Sequence, residues 1–428
     1  MKIGAFFLEN NWLTTNTTAN SQQDSLFGNL SRQDFAGILV IIISLALAVW
    51  FTTKESALSA LWLLGIATGF TLQRSRFCFA SAFRDLFLFG SGRTMKGILL
   101  AITITTIGFA IVMHNFIPDT SYGYLPEQAR VFPMGVSTVV AGLIFGFGMV
   151  LAGGCVSGSL YRIAEGYTAS WVAIGGILIG LGLLSHTWNW WWETVISTQP
   201  QVWLPNLPNM SYGSSLAITG ILLFSVFLLV IWWESKTGLA FPAPLESTSS
   251  HDTVRDKLTA LWNKIFAGPG WNAITGGTLL GGIGILMYMV HMPWGVTGEL
   301  NRLSLTIMSS LQISPPAMLG MSGMGCSAES GGGLFSHTFA TTVGLIAGSL
   351  VASLFSKEFK IRTPTNPVRY VQSLGGGILM GYGAGLGLGC TVGAFLSSIS
   401  SLSLGGWLFG LALAAGAFVG VQAIKRIA

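Results

Sequence analysis

Stretches of about twenty apolar residues recur ten times along this chain, at roughly 36–53, 57–72, 97–117, 135–152, 168–185, 214–233, 271–292, 335–356, 368–388 and 403–424. That is the length one helix needs to cross a hydrocarbon core about 30 Å thick. Lipid supplies no partner for backbone N–H and C=O groups, so a chain of this pattern folds as helices. Composition agrees. Only 9% of the 428 residues are charged and 51% are hydrophobic, where a soluble domain carries about 25% charge. A soluble globule and a disordered chain are both excluded. The net charge of +5 does not point to nucleic acid, because the basic residues sit at the ends of apolar runs and not in one patch. Four cysteines are too few and too scattered for a disulfide scaffold.

The expected organisation is a polar N-terminal tail (1–35), a first membrane half (36–233), a cytoplasmic linker (234–268) and a second membrane half (269–428). The tail has no apolar core followed by a cleavage site, so it does not read as a signal peptide. Several spans are short, and Gly-rich, semi-polar stretches flank them at 75–90, 153–167, 293–310, 320–334 and 389–402. Non-helical backbone survives at membrane depth only where protein or water covers it, so broken or re-entrant helices around a cavity are expected. With ten spans and both termini inside, 18 of the 21 basic residues fall on the cytoplasmic side, Lys54, Arg130 and Arg302 excepted. Trp188, Trp190, Trp191, Trp192 and Trp203 read as an interfacial belt.

The chain repeats itself. Gly146–Gly158 (GFGMVLAGGCVSG) aligns with Gly381–Gly393 (GYGAGLGLGCTVG) at a constant offset of 235. The copies end the fourth and ninth spans. Five spans separate them, so they enter from opposite faces, as an inverted-topology repeat. Such folds place substrate near the midplane, on discontinuous helices whose half-helix N-termini face anions. Each copy puts a cysteine, Cys155 or Cys390, after Gly154 or Gly389, where the next half-helix begins. Close packing of small residues accounts for one Gly-Gly-Cys-x-x-Gly break on its own. Two at matched places suggest thiols approached from the two sides.

Cys78 follows Arg74 and Arg76, which serve either to attract an anion to a cytoplasmic mouth or as interfacial anchors. Its counterpart in the second half falls near Ser304. Cys326 has no repeat counterpart and reads as a packing or lining residue. Glu165, Glu299 and Glu329 border Gly-rich segments, where ionisable groups invite a functional reading; Arg162 and Arg302 stand at helical ion-pair spacing from the first two. Among these, Gly154, Gly389, Glu299 and Cys326 join Arg74 and Arg76 as pathway-lining candidates. No Walker motif, Cys-x-x-Cys or Gly-x-Ser-x-Gly elbow occurs, and the five histidines stand alone without zinc-ligand spacing. Neither an enzyme, a cofactor nor a metal site is expected.

Neutral thiols in a dry path suit an anion with a terminal, polarizable sulfur. They offer weak contacts that also let go, while half-helix N–H groups hold its oxygens. At Gln73–Asp85 (QRSRFCF…FRD), at 148–166 (GMVLAGGCVSG…YRIAEG) and at Gly389–Gly393 (GCTVG), the sequence resembles the YeeE/YedE family of sulfur-compound transporters, over roughly 57–424. The resemblance implies thiosulfate uptake across the bacterial inner membrane through an hourglass-shaped inverted-repeat protein. It implies substrate contact in turn with Cys390 on the outer side, Cys155 in the middle and Cys78 at the cytoplasmic exit. A small TusA-type sulfur carrier inside is the implied partner. The second half, with Trp294–Arg302 (WGVTGELNR) and Ala394–Ser398 (AFLSS), looks more like the YedE branch, suspected of handling selenium compounds. A selenium compound or another soft sulfur species is therefore the alternative cargo, and a persulfide-forming membrane sulfurtransferase a third reading.

Overall fold

The structure is a computed structural model and describes residues 31–120, 124–126, 128–237, 270–313, 315–320 and 335–427. Cys326, Glu329, most of the 1–35 tail and of the 234–268 linker lie outside them. The elements in chain order are α1 (Arg32–Thr52), α2 (Ser56–Ser75), α3 (Phe79–Phe89), α4 (Arg93–Phe116), α5 (Val136–Ala152), α6 (Val156–Ala164), α7 (Thr168–Thr194) and α8 (Tyr212–Thr237). There follow α9 (Ala273–Val290), α10 (Thr297–Ser310), α11 (His337–Phe355), α12 (Val368–Leu386), α13 (Thr391–Ser400, opening as a π-helix) and α14 (Leu404–Ile427). Among the described residues there is no strand. Among the described residues, nine helical segments are long and apolar enough to cross a membrane, or ten when α12 and α13, bent by 45° at their junction, count as one span. The protein is an all-α polytopic membrane protein.

The helix order of α1–α7 recurs in α8–α14, and the packing recurs with it. Helix α7 lies on α12, and its counterpart α14 lies on α5; α11 lies on α2, and α4 on α9. The pairs α5–α12 and α2–α9 join each element to its own counterpart. Even the peripheral helices match: α1 rests on α11 as α8 rests on α4, and each leaves most of its span unburied by protein. In lipid there is little hydrophobic drive between helices, so close backbone approach through small residues holds them. Helices α7 and α12 show it: a β-carbon on Gly381 would lie 2.2 Å from Ile177 O, and one on Gly180 2.1 Å from Ile378 O.

Two expectations change. Helix α7 runs to Thr194 and not to 185, since the aromatic residues after the polar Ser185-His186-Thr187 continue the helix. The tryptophans are not a uniform belt. Trp190 is exposed, but Trp188 and Trp203 are buried. Their indole N–H groups donate to Leu319 O at 2.9 Å and to Ser401 O at 3.0 Å, tying loops to the helical body.

Candidate functional site

Three of the half-helices that follow a break, α3, α6 and α13, begin at a cysteine. Helix α2 ends at Arg76 in the left-handed region (φ 48°), and Cys78 caps α3. Helix α5 ends at Gly153 (φ 79°), and Cys155 caps α6. Helix α12 is followed by Leu388 at φ 54°, the position matching Gly153, and Cys390 caps α13. A residue at an N-cap sits over the first-turn N–H groups, which have no partner inside the helix and carry the positive end of its dipole. Cys155 uses this directly, its Sγ accepting the Gly158 N–H at 3.3 Å.

All three thiols are free and buried. Cys78 Sγ and Cys155 Sγ lie 3.7 Å apart, within reach of an S–H···S hydrogen bond, and Ser157 Oγ is 3.5 Å from Cys155 Sγ. Gly158 makes the meeting possible: a β-carbon there would stand 2.6 Å from Cys78 Sγ. Cys390 does not join this pair by a hydrogen bond. Its N–H donates to Thr297 Oγ1, the first residue of α10, at 3.1 Å. In the second half the helix start matching Cys78 is Val296, the cap of α10, not the region of Ser304, because the match runs through helix order. No thiol stands there, and a β-carbon on Gly393, the equivalent of Gly158, would meet nothing within 4 Å. Phe395 of α13 packs on Phe79 and Phe83 of α3, with ring centroids 6.4 and 6.3 Å apart. The helices that start at Cys390 and Cys78 thus touch through aromatic rings that sequence reasoning had not singled out. A narrow crevice opens where α5 begins; Leu388 and Ala394, which flank Cys390 in the sequence, line it with Pro133, Ser137 and Phe409.

The arginines play several parts. Arg76 pairs with Glu358 at 2.7 Å, and Arg74 is buried, its carbonyl accepting the Trp271 N–H at 2.7 Å. Two further arginines close the end of α5: Arg162 donates to Gly153 O, and Arg369 donates to Leu151 O at 3.1 Å and Ala152 O at 3.2 Å. Arg369 carried no local sequence signal. Gly389 is packed, since a β-carbon would fall 2.6 Å from Ala394 N, whereas Gly154 would meet only Arg162 and Ser159 at 3.4 Å. Glu299 is taken up by Arg302 (Nε–Oε2 3.0 Å) and by the Ser336 and Thr338 hydroxyls. The histidines do not all stand alone: His291 and His337 pack with ring centroids 4.1 Å apart, and His337 faces Glu55. Glu165, at the end of α6, is buried and accepts from Gln73 Nε2 at 3.2 Å. Burial pushes its carboxyl up to about 7.

The chain is similar to known proteins. The family model for sulphur transport matches residues 74–419. A thiosulfate transporter, TsuA, of Spirochaeta thermophila is 29% identical over 358 residues, covering 81% of this chain and 92% of that protein. TsuA of Escherichia coli is 28% identical over 353 residues, covering 80% and 88%. The probable transporter YedE of Salmonella typhimurium is 32% identical over 202 residues, 47% of each chain. With most of its length inside the family model, this chain belongs to the sulphur transport family.

Proposed function

We propose that the protein imports thiosulfate across the bacterial inner membrane by passing it between Cys390, Cys155 and Cys78. The observation that carries this reading is the placing of all three cysteines as caps of half-helices at breaks in membrane spans. An oxyanion alone would be held better by arginine or by many N–H donors. A thiol and a ring of first-turn N–H groups together match an ion that is sulfur at one end and oxygen at the other. The open space at Gly393, in the first turn after Cys390, supports entry from that side. The thiol pair Cys78–Cys155 then follows, on the side where Arg76, Arg162, Arg362 and Arg369 cluster. By the positive-inside rule that side is cytoplasmic; the start of α1, whose Gln33 donates to Phe359 O, lies on it. A small TusA-type carrier is the proposed acceptor at this exit.

The paired thiols, in mutual contact, describe an occluded state. Passage requires the S–H···S contact to part, with the ion's terminal sulfur replacing one of its members. Each contact is weak, which lets the ion leave as readily as it arrives. Uptake of radiolabelled thiosulfate into proteoliposomes tests the reading. Cys155→Ser and Cys390→Ser are each expected to lower uptake at least about tenfold, the effect of a lost interaction of about 1.4 kcal/mol, with the protein still folded. Wild-type rates in both variants would end the relay.

A further inference from the structure

One cluster lies beyond the thiols. Gln73, in the last turn of α2, spends both amide hydrogens on carboxylates: Nε2 donates to Glu165 Oε1 at 3.2 Å and to Glu358 Oε2 at 2.8 Å. Gln73 and Glu165 are each 1% exposed. Two buried atoms of this pair, Gln73 Oε1 and Glu165 Oε2, have no hydrogen-bond partner. Both are acceptors while Glu165 is ionised, and a buried acceptor without a donor is costly. One proton on Glu165 removes the mismatch. It turns an acceptor into a donor beside an amide whose own oxygen lacks one, and an acid–amide pair can close through two hydrogen bonds where an ionised one has only one.

We propose that Glu165 is a proton-binding site of the transport cycle, and that its proton closes a clasp between α2 and α6 at the cytoplasmic exit. The clasp joins the helix that leads into Cys78 to the helix that starts at Cys155. Helix α6 is nine residues long, so a shift at its Glu165 end is carried to its Cys155 end. With the proton bound, the ends of α2 and α6 are held and the thiol pair stays closed. With the proton released, two carboxylates crowd one amide, the clasp loosens and the thiols part. Glu358, with a side chain 26% exposed and bonded to the same amide, sets the edge of the cluster against water. The groups facing Glu165 are Arg162 and Tyr161 on its own helix, Tyr167 in the next turn, Arg76 at the end of α2, and Glu358 and Arg362 after α11. Burial outweighs the arginines among them, as the carboxyl's rise to about 7 indicates. By linkage, an ion that favours the parted thiols must release this proton when it binds. This last step rests on the thiosulfate reading; the proton site does not.

The test has two arms on the full-length protein in nanodiscs. Infrared difference spectra across a pH titration, without substrate, should show a protonated-carboxyl C=O stretch that disappears around neutrality. Glu165→Gln should delete the band, and Gln73→Met should shift it without deleting it. A wild type with no such band, or a band that survives Glu165→Gln, overturns the proposal whatever the cargo is. If Glu165→Gln does not fold, the shift in Gln73→Met carries the assignment, and an unshifted band overturns it. In the second arm, thiosulfate is added to weakly buffered protein. Wild type should release protons and Glu165→Gln none. Calorimetric binding without proton release overturns the clasp's link to the thiols. No binding at all would instead sink the thiosulfate reading, with the infrared arm still deciding the proton site.

Discussion

At the scale of single residues, the two copies of the cysteine motif differ in what faces the first helical turn. Gly158 is pressed against the Cys78 sulfur, and Gly393 faces open space. Gly158→Ala therefore forces Cys78 aside, and overpacking of this kind costs about 1–3 kcal/mol; thermal melting in detergent should show the loss. Gly393→Ala should melt like wild type, yet its methyl enters the open space at the first turn after Cys390, and thiosulfate uptake should fall. Equal uptake by Gly393→Ala and wild type would mean that this space takes no part in transport. Glu165 gives a pH signature. Its carboxyl is raised from about 4.5 to about 7, chiefly by burial, so the folded state binds more protons than the unfolded one between those values. Stability then declines as pH rises through that window, by up to roughly 3 kcal/mol. Glu165→Gln should flatten this part of the melting profile and melt above wild type on the alkaline side.

At the scale of elements, the breaks were legible and their fastening was not. The offset-235 repeat located Cys155 and Cys390 at half-helix starts, and the semi-polar stretch 75–90 marked the region of the third. Those features are local, since glycines and a cysteine in a row fix where a helix stops and the next begins. What holds the stops in place comes from elsewhere in the chain. Arg369, far beyond Gly153 in the sequence, reaches back to the last-turn carbonyls of α5, and Gln73 reaches to Glu165 and Glu358. Neither contact has a sequence period or motif to announce it. The counterpart of Cys78 was misplaced for the same reason: Val296 shares no residue type with it, and helix order alone reveals the match. Arg369→Met keeps the side-chain length but leaves the Leu151 and Ala152 carbonyls short of donors. Unsatisfied buried acceptors cost about 1–3 kcal/mol each, so Arg369→Met should lower the melting temperature and also loosen Cys155, read as faster labelling by a small thiol reagent. Unchanged melting and labelling would show that α5 ends stably without it.

At the scale of the whole molecule, the two halves use one packing scheme with different chemistry at one corner. Exchanging α1–α7 with α8–α14 maps α7–α12 onto α14–α5 and α2–α11 onto α9–α4. It also maps the Cys78–Cys155 corner onto Val296–Cys390. The first corner carries two thiols in contact. The second carries one thiol, a threonine hydroxyl bonded to the Cys390 N–H, and the open space at Gly393. A pathway for an ion needs one end less closed than the other in any one state, and this difference supplies it within an otherwise repeated frame. The correspondence makes a firm structural prediction. Val296 is fully buried at the cap of α10, so Val296→Cys changes little volume and puts a thiol where the repeat would have one. The Cys390 N–H is bonded to Thr297, the residue next to 296, so the new thiol stands in the neighbourhood of Cys390. Under mild oxidation Val296→Cys should therefore form a disulfide with Cys390, seen as a linked peptide pair by mass spectrometry, and thiosulfate uptake should stop until reductant is added. If instead the introduced thiol is labelled freely while Cys390 stays reduced, the two corners are not equivalent, and the frame shared by the halves ends short of the site.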